Sequence, residues 1–235
     1  MSEAANGMGP EIVGSEARVT QRVTWWRRRG LILGACTVVL AALMVTDTTF
    51  VSTDERDAAA ETAVEYAEQN YLSEVVPTIE ESATPVDELL TAIVADPEAA
   101  GEEFGSREGE NKPYSYATRA SGTFVEGEFG EIGLDVSGIP DGLSVGVAVP
   151  PLGSSTAIRD AGTEATFGQF ENQTEYQNVA IELNKQVVAH VFEPIDIESL
   201  VGQEVVVTGA FTWASDTGGE IDHVTIVPVS IEVAS

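Results

Sequence analysis

The sequence predicts an α+β protein: an amino-terminal transmembrane helix, a small helical subdomain, then an OB-like five-stranded β-barrel with an inserted helix. Three observations carry this. An uncharged apolar run follows a triplet of arginines. Apolar residues then recur at helical spacing. Beyond residue 113 the pattern changes to period two with β-branched residues, interrupted once by a helical stretch between the third and fourth strand segments.

The run is Gly30 to Val45, sixteen residues without a charge, preceded by Trp25, Trp26 and Arg27-Arg28-Arg29. A bilayer span takes about 20 apolar residues, with a lower limit near 17. Interfacial tryptophans and snorkelling arginines make up the difference. A buried core helix does not tolerate three abutting arginines. Basic flanks stay cytoplasmic, so residues 1–29 are predicted as a cytoplasmic tail and 30–47 as a single-pass anchor, with everything beyond extracytoplasmic. Leu33-Gly34-Ala35-Cys36 also reads as a lipoprotein box, with Cys36 as the acylated residue. Only Gly30 to Ala35 would then form the hydrophobic stretch before it, where 7 to 15 residues are usual, so an uncleaved anchor is the expectation.

Charge divides the chain in the same place. Of 39 acids and 11 bases, net −28, residues 1–29 hold three acids and five arginines, whereas the chain from Asp47 onward holds 36 acids and six bases. The excess fits a lineage-wide composition bias. It excludes nucleic-acid binding through a basic groove, since phosphates are repelled. One cysteine excludes a disulfide framework and any multi-cysteine metal site.

Residues 48–105 are predicted as the helical subdomain. Asp54 to Tyr71 carries Ala60, Val64, Ala67 and Tyr71 at helical spacing, and Leu72, Val75, Val76 and Ile79 extend the face. Thr84-Pro85-Val86-Asp87 signals a helix start with proline in the first position, followed by the stripe Leu89, Leu90, Ile93 and Val94; Asp96-Pro97 signals another. Residues 106–113 form a polar linker. In 114–235, strands are expected at Ser115–Val125, Glu131–Val136, Ser144–Val149, Glu204–Trp213 and His223–Val233, with a helix over Glu175–Phe192.

Within this last region three segments stand in a characteristic order: Gly153-Ser154-Ser155-Thr156-Ala157-Ile158-Arg159-Asp160-Ala161, then Phe167 to Tyr176 (FGQFENQTEY), then Leu183-Asn184, followed by Gly202, Val205, Gly209 and Phe211. Together they resemble domain of unknown function family 2291 over about residues 30–233. The resemblance implies a periplasmic, lipoprotein-like protein that accompanies sugar-uptake ABC transporter components. It assigns no activity.

Arg159 and Asp160 with Asn172 and Gln173 form the best candidate binding set, joined by Thr156, Tyr176 and Asn184 from the same motifs. A planar guanidinium and paired amide donors and acceptors suit hydroxyls or carboxylates. The structural alternative is an Arg159–Asp160 ion pair and an Asn172-Gln173 helix cap. Catalytic signatures are scarce: there are two histidines, His190 on a helix and His223 at a strand start, and Ser154-Ser155 lies in no G-x-S-x-G elbow. Asp216 to His223 lacks the order of a calcium loop and reads as a solvated hairpin turn. The expectation is a membrane-anchored extracytoplasmic accessory or binding protein, not an enzyme, with no metal or cofactor. The alternative is an envelope carbohydrate-active hydrolase using paired carboxylates.

Overall fold

Strand alternation in the carboxy-terminal half resolves into a closed barrel. The structure, a computed structural model, describes residues 62–127, 130–214 and 219–234, all within the unit Asp54–Ser235. The predicted tail 1–29, the anchor 30–47, the Cys36 box and the start of the first predicted helix lie outside the described residues. Among the described residues no helix is long and apolar enough to cross a membrane.

Five strands make the barrel: β3 (Ser115–Val125), β4 (Glu131–Asp135), β5 (Ser144–Ala148), β6 (Glu204–Thr212) and β7 (His223–Val233). They are joined in the order β3-β4-β5-β7-β6, and β6 returns to β3 to close the ring. The β5–β7 pair is parallel and the others are antiparallel. This is the five-stranded Greek-key arrangement of OB-folds. Register turns one apolar face inward all the way round. Tyr116 opposes Phe211, Phe124 opposes Leu134, Leu134 opposes Val145, Ile132 opposes Val147, and Val147 opposes Ile226. All of these are buried. The Tyr116 and Phe211 rings stack 5.5 Å apart, a geometry worth about 0.5–1.5 kcal/mol beyond burial.

The helices do not form a core of their own. In α3 (Val86–Ala95), Val86, Leu89, Leu90 and Ile93 occupy one face and join the apolar cluster that fills the barrel. The proline signal there acts one residue later than expected. Thr84–Pro85 is a short strand, β1, parallel to β3, and helix α3 begins at Val86 because Pro85 is itself extended. Asp96 does cap α4 (Pro97–Phe104), accepting from the Ala99 N–H at 3.1 Å. Short strand β2 (Gly105–Ser106) pairs with β3, so the predicted linker leaves from the edge of the sheet.

A second cluster covers the outer face of β3, β6 and β7. It joins Ala117, Ala210, Val227 and Val229 to α1 (Ala63–Asn70), α2 (Val76–Ser82), α5 (Ala157–Gly162) and α6 (Gln173–Val187). Helix α1 runs through a π-helical turn, Tyr71–Val75, into α2, and α6 ends in another, Val188–Phe192. The two π turns meet where Tyr71 stacks on His190, with ring centroids 5.4 Å apart. Helix α5 was not expected from the sequence. At six residues it is too short to show a hydrophobic period, and it is held by packing. Gly162 allows that packing, since a Cβ there would lie 2.8 Å from Val75 and 2.9 Å from Ile79.

Candidate functional site

Helix α5 crosses the outer barrel face with Ala157, Ile158 and Arg159 all buried. Arg159 therefore brings a charge into an apolar setting, and its surroundings are built to hold it. Its side chain is 3% exposed. Asp160, itself 10% exposed, accepts from Nε at 2.8 Å, and the same oxygen, Oδ1, forms an ion pair with Nη2 at 2.7 Å. Glu108, from the segment after β2, accepts from Nη2 at 3.2 Å. The guanidinium carbon lies 4.6 Å from the centre of the Tyr176 ring, within range of a cation–π contact. Burial pushes the Tyr176 phenol above its ordinary pKa. The Glu108 and Asp160 carboxylates add to the rise, and Arg159 opposes it.

These groups line a cleft of about 320 Å³, together with Arg107, Thr163, Glu164, Thr166 and Phe167. Arg107 is engaged elsewhere, by Glu98 at 3.3 Å and by the face of Tyr114 at 4.2 Å. Phe167 meets Tyr176 edge-on at 6.4 Å and is half exposed at 51%. The cleft thus presents carboxylate acceptors, threonine hydroxyls and an exposed aromatic edge around a guanidinium whose charge is already matched. A free anion finds no unpaired cation in it. A neutral ligand rich in hydroxyls finds acceptors and an apolar face.

Of the residues singled out by sequence, Arg159, Asp160 and Tyr176 converge on this cleft, and Arg159–Asp160 is also the ion pair foreseen as its structural alternative. Asn172 caps α6, its Oδ1 accepting from Thr174 N at 2.9 Å and Glu175 N at 3.0 Å. Gln173 is exposed on the first turn of α6. Asn184 is buried; its amide donates to the carbonyls of Gly153 and Ser155 at 3.2 and 3.0 Å, tying down the loop before α5. Thr156 starts α5 through its carbonyl, which accepts from Asp160 N at 2.8 Å. Its side chain borders a separate, hydroxyl-lined depression beside β7. Glu108 and Phe167 were missed as site residues. Glu108 sits in a segment that reads as linker, and only the family-like F-G-Q-F run marked Phe167.

A second polar cluster lies on the outer face of β4, β5 and β7. His223 Nε2 is 2.9 Å from Glu131 Oε2, and His223 Nδ1 is 2.8 Å from Ser144 Oγ. Thr225 Oγ1 donates to the same Glu131 oxygen at 2.9 Å. Sequence reading placed Glu131, Ser144 and His223 at the starts of three strands, but nothing in the spacing shows that those starts adjoin. Among the described residues, no group of three or more His, Cys, Asp or Glu side chains is arranged to hold a metal ion.

The architecture has a solved counterpart in an OB-fold protein from Thermotoga maritima, 21% identical, covering 74% of this chain and 99% of that one with a TM-score of 0.57. At that identity the likeness concerns the fold. No curated protein matches the chain. A family model described as predicted periplasmic lipoprotein (DUF2291) matches residues 37–232. With that match spanning most of its length, the chain belongs to the DUF2291 family of predicted periplasmic lipoproteins.

Proposed function

We propose that this chain is a membrane-attached, extracytoplasmic binding module whose α5–α6 cleft takes a small polyhydroxylated ligand of the monosaccharide class, in the service of a sugar-uptake transporter. The observation that carries the reading is the state of Arg159. Its charge is met by Asp160 and Glu108 and its flat face by Tyr176. What remains for a ligand is a ring of acceptors beside the exposed Phe167 edge. Binding is the role this supports, because the Asp160 and Glu108 carboxylates are both held by Arg159.

Attachment is by the amino-terminal segment. The family description, and a matched region that begins at residue 37, next after Cys36, support acylation of Cys36. The uncharged run behind three arginines supports a single-pass span at 30–47. The mass of the membrane-extracted chain distinguishes the two: acylated Cys36 at the amino terminus, or an unprocessed tail.

A thermal-shift screen of the detergent-solubilised chain against monosaccharides tests the ligand reading. A ligand at 100 times its Kd stabilises by about 2.7 kcal/mol, and Phe167→Ala should abolish that shift while leaving the unliganded melting temperature nearly unchanged. If no monosaccharide at millimolar concentration moves the melting temperature, the proposal fails.

A further inference from the structure

The Glu131–His223–Ser144 chain of contacts lies outside the α5–α6 cleft and is independent of the reading above. It sits at the meeting of two grooves. One, of about 850 Å³, runs along β4 and β5; the other, of about 510 Å³, runs beside β7; Asp222 and His223 line both. Ser144 is exposed at this junction, His223 is 35% exposed and Glu131 17%. Exposure thus falls from the hydroxyl inward to the carboxylate.

The carboxylate is held with care. In β5, Gly146 stands beside Thr225 of β7, and the Glu131 side chain lies across it. A Cβ at position 146 would come within 2.5 Å of a Glu131 carboxylate oxygen. The bare glycine therefore lets Glu131 reach over one strand to two residues of the next. Thr225 and His223 then occupy the same oxygen, Oε2.

Hydrogen-bond accounting gives one assignment for each charge state of His223. Glu131 is an acceptor, so the neutral imidazole keeps its proton on Nε2 and points it at Glu131. Nδ1 then has a free lone pair 2.8 Å from Ser144 Oγ, and the serine hydroxyl donates to it. When His223 is protonated, both nitrogens donate, and the serine hydroxyl turns to the Asp222 carbonyl at 3.2 Å. The neutral form is a serine–histidine–carboxylate relay, with the base oriented by a third group that is itself fixed.

We propose that Ser144 is an activated nucleophile and that this junction is a second functional site, accepting carboxylic esters. Ser144 Oγ adds to the ester carbonyl as its proton passes to Nδ1 of His223. The tetrahedral adduct then expels the alcohol, which leaves with that proton, and an acyl-serine remains. Water, deprotonated by the same Nδ1, attacks the acyl carbon, and the carboxylic acid departs as Ser144 recovers its proton. Glu131 is a positioning residue that steadies the imidazolium formed between these transfers. The groove walls carry Glu126, Asp135 and Asp222 beside Glu131, so neutral or cationic esters are accepted and anionic ones are repelled.

The test is labelling of the full-length, detergent-solubilised chain with a fluorophosphonate, which Ser144 Oγ attacks at phosphorus with loss of fluoride. Peptide mapping is expected to place the label on Ser144, with His223→Gln slowing it 10²–10⁴-fold, as loss of a general base does. Gly146→Ala pushes the Glu131 carboxylate off His223 without removing either residue. It should lower kcat on p-nitrophenyl acetate at least 10-fold with KM nearly unchanged. No label on Ser144, or equal labelling in the His223→Gln chain at an unchanged melting temperature, overturns the proposal.

Discussion

Replacing Arg159 by methionine isolates the energetics of the cleft. Arg159→Met keeps an unbranched apolar stem and removes the guanidinium. Asp160 loses its Nε donor and its ion-pair partner, with its side chain still only 10% exposed. Leaving such a carboxylate uncompensated costs about 3–5 kcal/mol. Glu108 adds little, since at 36% exposure its charge is largely met by water. Loss of the contact with Tyr176 costs about 0.5–2 kcal/mol. The double variant Arg159→Met/Asp160→Asn also removes the stranded charge, and should recover about 2 kcal/mol of the loss, because an apolar residue replaces a desolvated pair at small net cost. Urea unfolding followed by circular dichroism reads both, as shifts in midpoint at constant slope. If the single variant loses under 1 kcal/mol, or the double variant is less stable than the single, the carboxylate is not desolvated by its surroundings and the account of the cleft is wrong.

Helix capping separates two residues that look alike in sequence. Asn172→Ala should cost about 1 kcal/mol through two orphaned N–H groups of α6, whereas Gln173→Ala should stay within about 0.5 kcal/mol; chemical denaturation distinguishes them. Gly162→Ala drives a methyl into Val75 and Ile79 and should cost about 1–3 kcal/mol by overpacking, lowering the melting temperature without touching a polar contact. Burial in the barrel raises the Tyr116 phenol to about 12 from its ordinary 10.0. Its contribution to stability is whole below pH 10 and is lost as pH rises through about 12. Absorbance at 295 nm should therefore show this phenolate only near pH 12, together with alkaline unfolding, and Tyr116→Phe should remove that step.

The five strands and the apolar faces of α3 and α6 were legible because burial imposes periods of two and 3.6 on the chain itself, although Val94, read into the α3 stripe, is exposed and Val86 takes its place in the core. The Asp96-Pro97 cap was legible for a similar reason, since its hydrogen bond spans three residues. The expected amino-terminal orientation is read from the same kind of local record, an arginine triplet against an uncharged run, and lies outside the described residues. Helix α5 escaped notice because six residues complete fewer than two turns and leave no period to read.

Neither polar constellation could have been assembled from the sequence. Alternation tells which face of a strand a residue occupies but not which residue of another strand it meets. That is decided by register and barrel closure, which bring Glu131 to His223 across 92 positions and Ser144 to His223 across 79. In the same way Glu108 reaches Arg159 over 51 positions only because α5 is pressed onto the outer barrel face. The residue types were present in the sequence; packing of the two apolar clusters set the distances between them.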